Sequence, residues 1–327
     1  MGNPGKVRVA VIRGGNHRGA IAQAISLLDE VQSRRIAPNP LVIPNLASGP
    51  GSAGSTHRDA ISATVDALLG AGAEAIIIAA AAGPPIQATR QFEELGYQAE
   101  VWNRPVSFLD LETDARPEIT IEGDLHSEPV NLRIPEAVSL SGCRVSLAVA
   151  RGRHSFAGGL GVANLLNVLD PADRARLMPA AFQSGASLVG FFTRLLRRSS
   201  TETAAEARWI VNLLKAVQPT LSIVDAFPHA KRSGPRNGRW TAHSGTVVAG
   251  SDPIAVDAVA ALLLGYNRKE LAYLSLAESM GLGVADLGRI EIVGDRPISI
   301  RRTSAHLLRM HRRSRQQWAT TSKVRSR

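Results

Sequence analysis

Between residues 7 and 80 the chain alternates between short runs of branched aliphatic residues and stretches whose apolar residues recur at helical spacing. That alternation constrains the fold more than any other feature. Residues 7–12 (VRVAVI) read as a strand and Gly14-Gly15-Asn16 as a turn, after which Ile21, Ile25 and Leu28 mark one helical face. Residues 40–46 read as a second strand, followed by a Gly/Ser/Pro loop to Ser55. Ile61, Val65, Leu68 and Leu69 then line a second helix closed by Gly70 and Gly72, and residues 74–80 supply a third strand. Strands joined through helices must run parallel. Parallel strands bury both faces, so the predicted class is α/β, with mainly parallel sheets and helices on both faces.

The pattern weakens between residues 102 and 135 into prolines, acidic residues and short apolar pairs, which predicts short strands or a crossing region. It resumes with a buried-strand candidate at 144–150, a Gly-rich segment at 152–161 and an apolar stretch at 162–169. Helical periodicity covers 182–198 and 204–217, and strands are predicted at 221–224, 245–249 and 290–293. Asp252-Pro253 starts a helix that runs to Leu264. A two-lobed arrangement follows as the expectation: a first α/β lobe over 1–135, a second over 136–300, and a basic tail over 301–327.

Composition narrows the classes. Aromatic residues make up only 4% of the 327, so the core must be aliphatic. The longest apolar run, 75–82, is strand-sized and far short of a membrane span. The first residues lack the order of regions that marks a signal peptide, and a cytoplasmic location is expected. Cys143 is the single cysteine, which excludes a disulfide within the chain and any cluster built on several of its own thiolates. No iron–sulfur cluster is expected, and any other cofactor stays unknown. The net charge of +10 is concentrated: residues 301–327 hold nine Lys and Arg and no acid, which leaves +1 for residues 1–300. Nucleic acid or anionic lipid is therefore a partner expected only through that tail, and a solvated tail is the plainer reading.

In open α/β sheets ligands bind beyond the carboxyl ends of the strands, so polar residues there are the first candidates. Arg13 and the turn Gly14-Gly15-Asn16 follow the first strand, where backbone N–H groups and an arginine can meet an anion, although Asn16 is also a good helix cap. Asn45 follows the second strand. Thr56 with Asp59 has the spacing of a capping box, and His57 between them can bind an anion or move a proton. Arg151, Arg153 and His154 form the densest polar cluster after a strand, suited to carboxylate or phosphate. Asp225 ends a strand ahead of His229 and Lys231. Asp252 is explained as a helix cap, whereas Asp257 interrupts an apolar helix and needs a partner. Gly159-x-Gly161-x-x-Asn164 has only the outline of a dinucleotide fingerprint, and no GxSxG, HExxH, EF-hand or CxxC pattern occurs. No metal site is expected.

The segments IPNLASGPGSAGSTHRDAISATVDALLGAGA, RGRHSFAGGLGVANLLNVL, TLSIVDAF, SGPRNGRW and SDPIAVDAVAALLLG, with GLGVADLGRIEIVGD near the end, resemble the family known as domain of unknown function 362. The resemblance implies a two-lobed α/β fold and, in many relatives, association with iron–sulfur ferredoxin modules; it assigns no reaction. This chain departs from the pattern at Ile43 and Ala163, where the family usually has lysine, and at Lys231, where it usually has an acid. Those departures favour a specialised small-molecule enzyme, as in secondary metabolism, over an electron-transfer partner.

The expected function is acid–base chemistry on an anionic small molecule: an isomerisation, elimination or cyclisation. His57 and His154 are the proton-transfer candidates, with Asp225 or Asp257 orienting a base. Arg13, Thr56, Arg151, Arg153, Asn45, Asn164 and Lys231 are the candidates for holding the substrate. The alternatives are a non-catalytic metabolite-binding or redox-partner protein, and a nucleic-acid binder acting through the tail. Oligomeric state is left open.

Overall fold

A computed structural model describes residues 6–28, 37–46, 54–81, 87–121, 129–150, 160–169, 173, 200–227, 245–264 and 271–295. The strands are β1 (Val7–Arg13), β2 (Leu41–Pro44), β3 (Ile76–Ala80), β4 (Val106–Asp110), β5 (Glu118–Ile121), β6 (Val130–Arg133), β7 (Arg144–Val149), β8 (Leu221–Asp225), β9 (Thr246–Gly250) and β10 (Ile290–Gly294). Eight of them form one sheet in the order β10-β1-β9-β8-β7-β2-β3-β4, and β5 and β6 pair as a separate antiparallel hairpin. Every pairing in the large sheet is parallel except the two made by β9, which runs against both β1 and β8. The expected α/β class with a mainly parallel sheet is what the structure shows. Both chain segments contribute strands to this sheet, with β1 lying between β9 and β10. The boundary near residue 135 thus separates stretches of sequence, and the sheet runs across it.

Side chains alternate across each strand, which is why β1 is apolar at nearly every position. Val9 and Val11 point into one hydrophobic layer and Ala10 and Ile12 into the other. The second layer is covered by α1 (His17–Ser26), α2 (Arg58–Gly70), α3 (Ala88–Glu94) and α4 (Tyr97–Glu100). The first layer is covered by α6 (Gly161–Asn164), α7 (Ser200–Val217), α8 (Pro253–Leu264) and α9 (Ala272–Ser279); α5 (Glu136–Leu140) contributes Val138 to it.

The weak stretch 102–135 resolves into edge strand β4 and the β5–β6 hairpin, which lays Ile119 and Leu132 on the first layer. The helix predicted over 182–198 lies outside the described residues. Asn16 caps α1 as expected, its Oδ1 accepting from the Gly19 N–H at 2.8 Å. Asp252 caps α8 by accepting from the Ile254 and Ala255 N–H groups. Its second oxygen also accepts from the Val284 N–H at 2.8 Å, so one carboxylate fastens two segments.

The capping box expected from Thr56 and Asp59 does not form. The Thr56 hydroxyl instead accepts from the Asn45 N–H at 2.8 Å and donates to the Leu147 carbonyl at 3.0 Å. The cap of α2 is His57, whose Nδ1 accepts from the Asp59 N–H at 3.2 Å. A hydroxyl can close both a loop backbone and a neighbouring strand end, and here that pairing takes Thr56 away from the helix.

Candidate active site

Three polar side chains meet where β1, β2 and β8 end, on the face covered by α1 and α2. Asp225 is the last residue of β8 and shares its face with Leu221 and Ile223. It is fully buried, and a buried carboxylate must find donors. One donor is the Phe227 N–H at 2.9 Å, and the other is His17, whose Nδ1 lies 2.7 Å from Asp225 Oδ2. His17 is the first residue of α1, placed there because the glycine turn after β1 leads directly into the capped helix.

His57 stacks on His17 with ring centroids 4.3 Å apart and planes within 4° of parallel. Phe227 leans on the other ring neighbour, His17, at 4.7 Å. His17 is therefore held by a carboxylate and two aromatic contacts, and its side chain is only 10% exposed. His57 is more open at 39%. Burial lowers the His57 pKa from its ordinary value, and His17 and Arg58 lower it further, against the raising influence of Asp59 and Asp225. The same site thus holds one imidazole tied to a carboxylate and another biased toward neutrality. Histidine pairs of this kind are suited to accepting and donating protons.

The surrounding shell is rigid. Tyr97 donates its hydroxyl hydrogen to the Thr56 carbonyl at 2.5 Å, which fixes the residue preceding His57. Arg18, next to His17, bonds Ser62 on α2 at 2.9 Å and pairs with Glu100 on α4. Asn45 and Thr56 exchange backbone and hydroxyl bonds beside the β2 end, and both are buried.

The remaining sequence candidates fall elsewhere. By the alternation of β1, Arg13 belongs to the side of Val9 and Val11, and its N–H donates to Asp295 at 2.6 Å. Asp257 and Asn164 lie under the opposite face. Asp257 accepts from the Gly161 N–H, the Val162 N–H and the Tyr273 hydroxyl, all within 3.0 Å. Asn164 donates to the Ile43 carbonyl and the Ser146 hydroxyl, and accepts from Asn167. These contacts position backbone turns. Arg151, Arg153, His154 and Lys231 lie outside the described residues.

His17 belongs to the polar run after the first strand, but no catalytic or binding role was assigned to it from the sequence. The available signal was its place at the first helical position beyond a strand end; its pairing with Asp225, 208 residues away, had no local sign. Among the described residues no group of three or more His, Cys, Asp or Glu is placed to hold a metal ion. Cys143 precedes β7 at the end of the strands opposite to Asp225, where burial pushes its thiol up and Thr220 donates to it at 3.3 Å. A single thiol is fewer than the several that an iron–sulfur cluster takes from its chain.

The sheet order, the crossovers and the strand-end polar site define an α/β protein of the open, mainly parallel kind. The chain belongs to the family described as domain of unknown function 362 (DUF362), which it matches over residues 41–262. A crystal structure of a protein from Thermotoga maritima aligns with a TM-score of 0.43 at 14% identity, covering 65% of this chain and 51% of that one. The chain thus spans about half the length of that protein. No curated protein matches in sequence. Among the described residues, no helix is long and apolar enough to cross a membrane.

Proposed function

We propose that this protein is an enzyme that moves a proton on an anionic small molecule, in an isomerisation, elimination or cyclisation. The observation that carries the reading is the His17–Asp225 pair with His57 stacked against it. A buried carboxylate bonded to Nδ1 fixes the imidazole orientation and stabilises the imidazolium that forms when Nε2 takes a proton. Anion preference is supported by where the rings sit: His17 opens α1 and His57 caps α2, so two helix amino termini converge on the site. A role in secondary metabolism is part of the same proposal and rests on the departures at Ile43, Ala163 and Lys231, while a reducing, cytoplasmic setting rests on the single cysteine.

The test is conversion of the small-molecule fraction of a cell extract by the full chain in D2O, read by mass spectrometry as new products or deuterium incorporation. Conversion is expected with the wild type and lost by about 10²-fold or more in His17→Gln and Asp225→Asn. Conversion that persists unchanged in both variants refutes the reading. Binding of an anion without conversion would instead identify a non-catalytic metabolite-binding protein.

A further inference from the structure

Thr56 stands where a strand pairing should continue and does not. The Leu41 N–H donates to the Cys143 carbonyl at 2.8 Å, and β2 stays in register with β7 through Ile43↔Ser146 to Pro44↔Leu147, where the pairing ends. Donors on one strand of a parallel ladder recur every second residue, so the pattern set at Leu41 continues at Ile43 and then at Asn45, whose N–H would meet the Leu147 carbonyl. Thr56 is spliced into that bond. Its hydroxyl accepts from the Asn45 N–H at 2.8 Å and donates to the Leu147 carbonyl at 3.0 Å, while its own N–H donates to the Asn45 carbonyl at 2.8 Å. Its remaining polar group, the carbonyl, accepts from the buried Tyr97 hydroxyl at 2.5 Å. A residue only 2% exposed, with each polar group engaged, has little freedom to move. The next residue is His57, which caps α2 and stacks on His17.

We infer that Thr56 is a positioning residue: its hydroxyl, held between the ends of β2 and β7, sets where His57 stands against His17, with Tyr97 as the second anchor. The bearing of this inference on catalysis rests on the acid–base reading above. One peptide unit separates the spliced residue from the imidazole, so a backbone shift at 56 is carried to the ring. Valine has the shape of threonine without the hydroxyl. In Thr56→Val the Asn45 N–H and the Leu147 carbonyl lose their shared partner while both residues are buried, and the bond that satisfies them is the direct ladder bond. Closing it requires residue 56 to withdraw, and His57 moves with it.

The test reads the ring contact itself. In the full chain with labelled histidines, assigned by substituting each ring in turn, wild type should show nuclear Overhauser contacts between the carbon-bound ring protons of His17 and His57. Thr56→Val should lose them, and Thr56→Ser, which keeps the hydroxyl, should regain them. Deuterium incorporation in the extract assay should fall about 10²-fold in Thr56→Val, as for a misplacement of about 1 Å, and recover in Thr56→Ser. Ring contacts missing from the wild type, or retained in Thr56→Val whatever its melting temperature, overturn the inference, since Thr56 then serves stability alone. If Thr56→Val does not fold, Tyr97→Phe decides: weakened ring contacts support the assignment, and contacts equal to wild type overturn it. Absence of conversion by the wild type removes the acid–base reading, and the ring contacts then judge the placement of His57 by themselves.

Discussion

Replacing Asp257 with asparagine should change stability by an amount that depends on pH. Asp257 is wholly buried, with Oδ1 2.7 Å from the Gly161 nitrogen and Oδ2 3.0 Å from the Val162 nitrogen and 2.7 Å from the Tyr273 hydroxyl. Burial pushes its pKa from 3.8 up to about 6, despite the lowering effect of those three donors. An acid with a raised folded pKa binds its proton more tightly in the folded state, so stability falls as pH rises from 3.8 to about 6. At about 1.4 kcal/mol per pH unit that loss totals about 3 kcal/mol. An amide does not titrate and escapes it. Asparagine carries its own fixed cost, since its NH2 group faces donors and leaves one N–H without an acceptor, worth about 1–3 kcal/mol. Urea unfolding of wild type and Asp257→Asn should therefore show their difference moving in favour of the variant by about 2 kcal/mol between about pH 4.5 and 7.5. Other titrating groups cancel in the comparison. A difference that stays flat across that range, or moves toward the wild type, refutes the argument that desolvation outweighs the three donors.

Gly161→Ala should lower the melting temperature by several degrees, because the added Cβ would lie 2.4 Å from the Ser222 hydroxyl and 2.9 Å from Asp257 Oδ1; an unchanged melting curve would show that α6 can shift freely. Tyr97→Phe leaves the buried Thr56 carbonyl without its side-chain donor and should cost about 1–3 kcal/mol in chemical denaturation. Proton NMR should place the His57 titration below 6.5, and His17→Gln should move it upward by removing one of the groups that lower it. A His57 midpoint at or above 6.5 contradicts the burial and charge argument for that ring.

Much of the architecture was legible because it is written in local periodicity. The strands β1, β2, β3, β7 and β8 and the helices α1, α2 and α8 follow from apolar spacing and from turn and cap residues that act within a few positions. Asn16 and Asp252 as caps belong to the same class, because a cap bonds its own next turn. Thr56 shows the limit: its spacing to Asp59 fits a capping box, but the Asn45 N–H and the Leu147 carbonyl claim its hydroxyl. Strand direction was equally hidden. Nothing in TVVAG marks β9 as the strand that runs against its neighbours.

Strand-end chemistry was half visible. Asp225 could be singled out because it follows an apolar run, the place where an open sheet exposes polar groups, and His57 because it stands at the helix start beyond the second strand and its loop. Which of the candidates converge depends on crossovers that carry the chain across several strands, and no local pattern encodes that. The tertiary structure puts His17 between His57 and Asp225 and sends Asn164 and Asp257 beneath the other face. Residue type and spacing thus determined the elements and the pool of reactive groups. Long-range packing decided the partners, because a contact between residues 208 positions apart is set by sheet order and helix placement together.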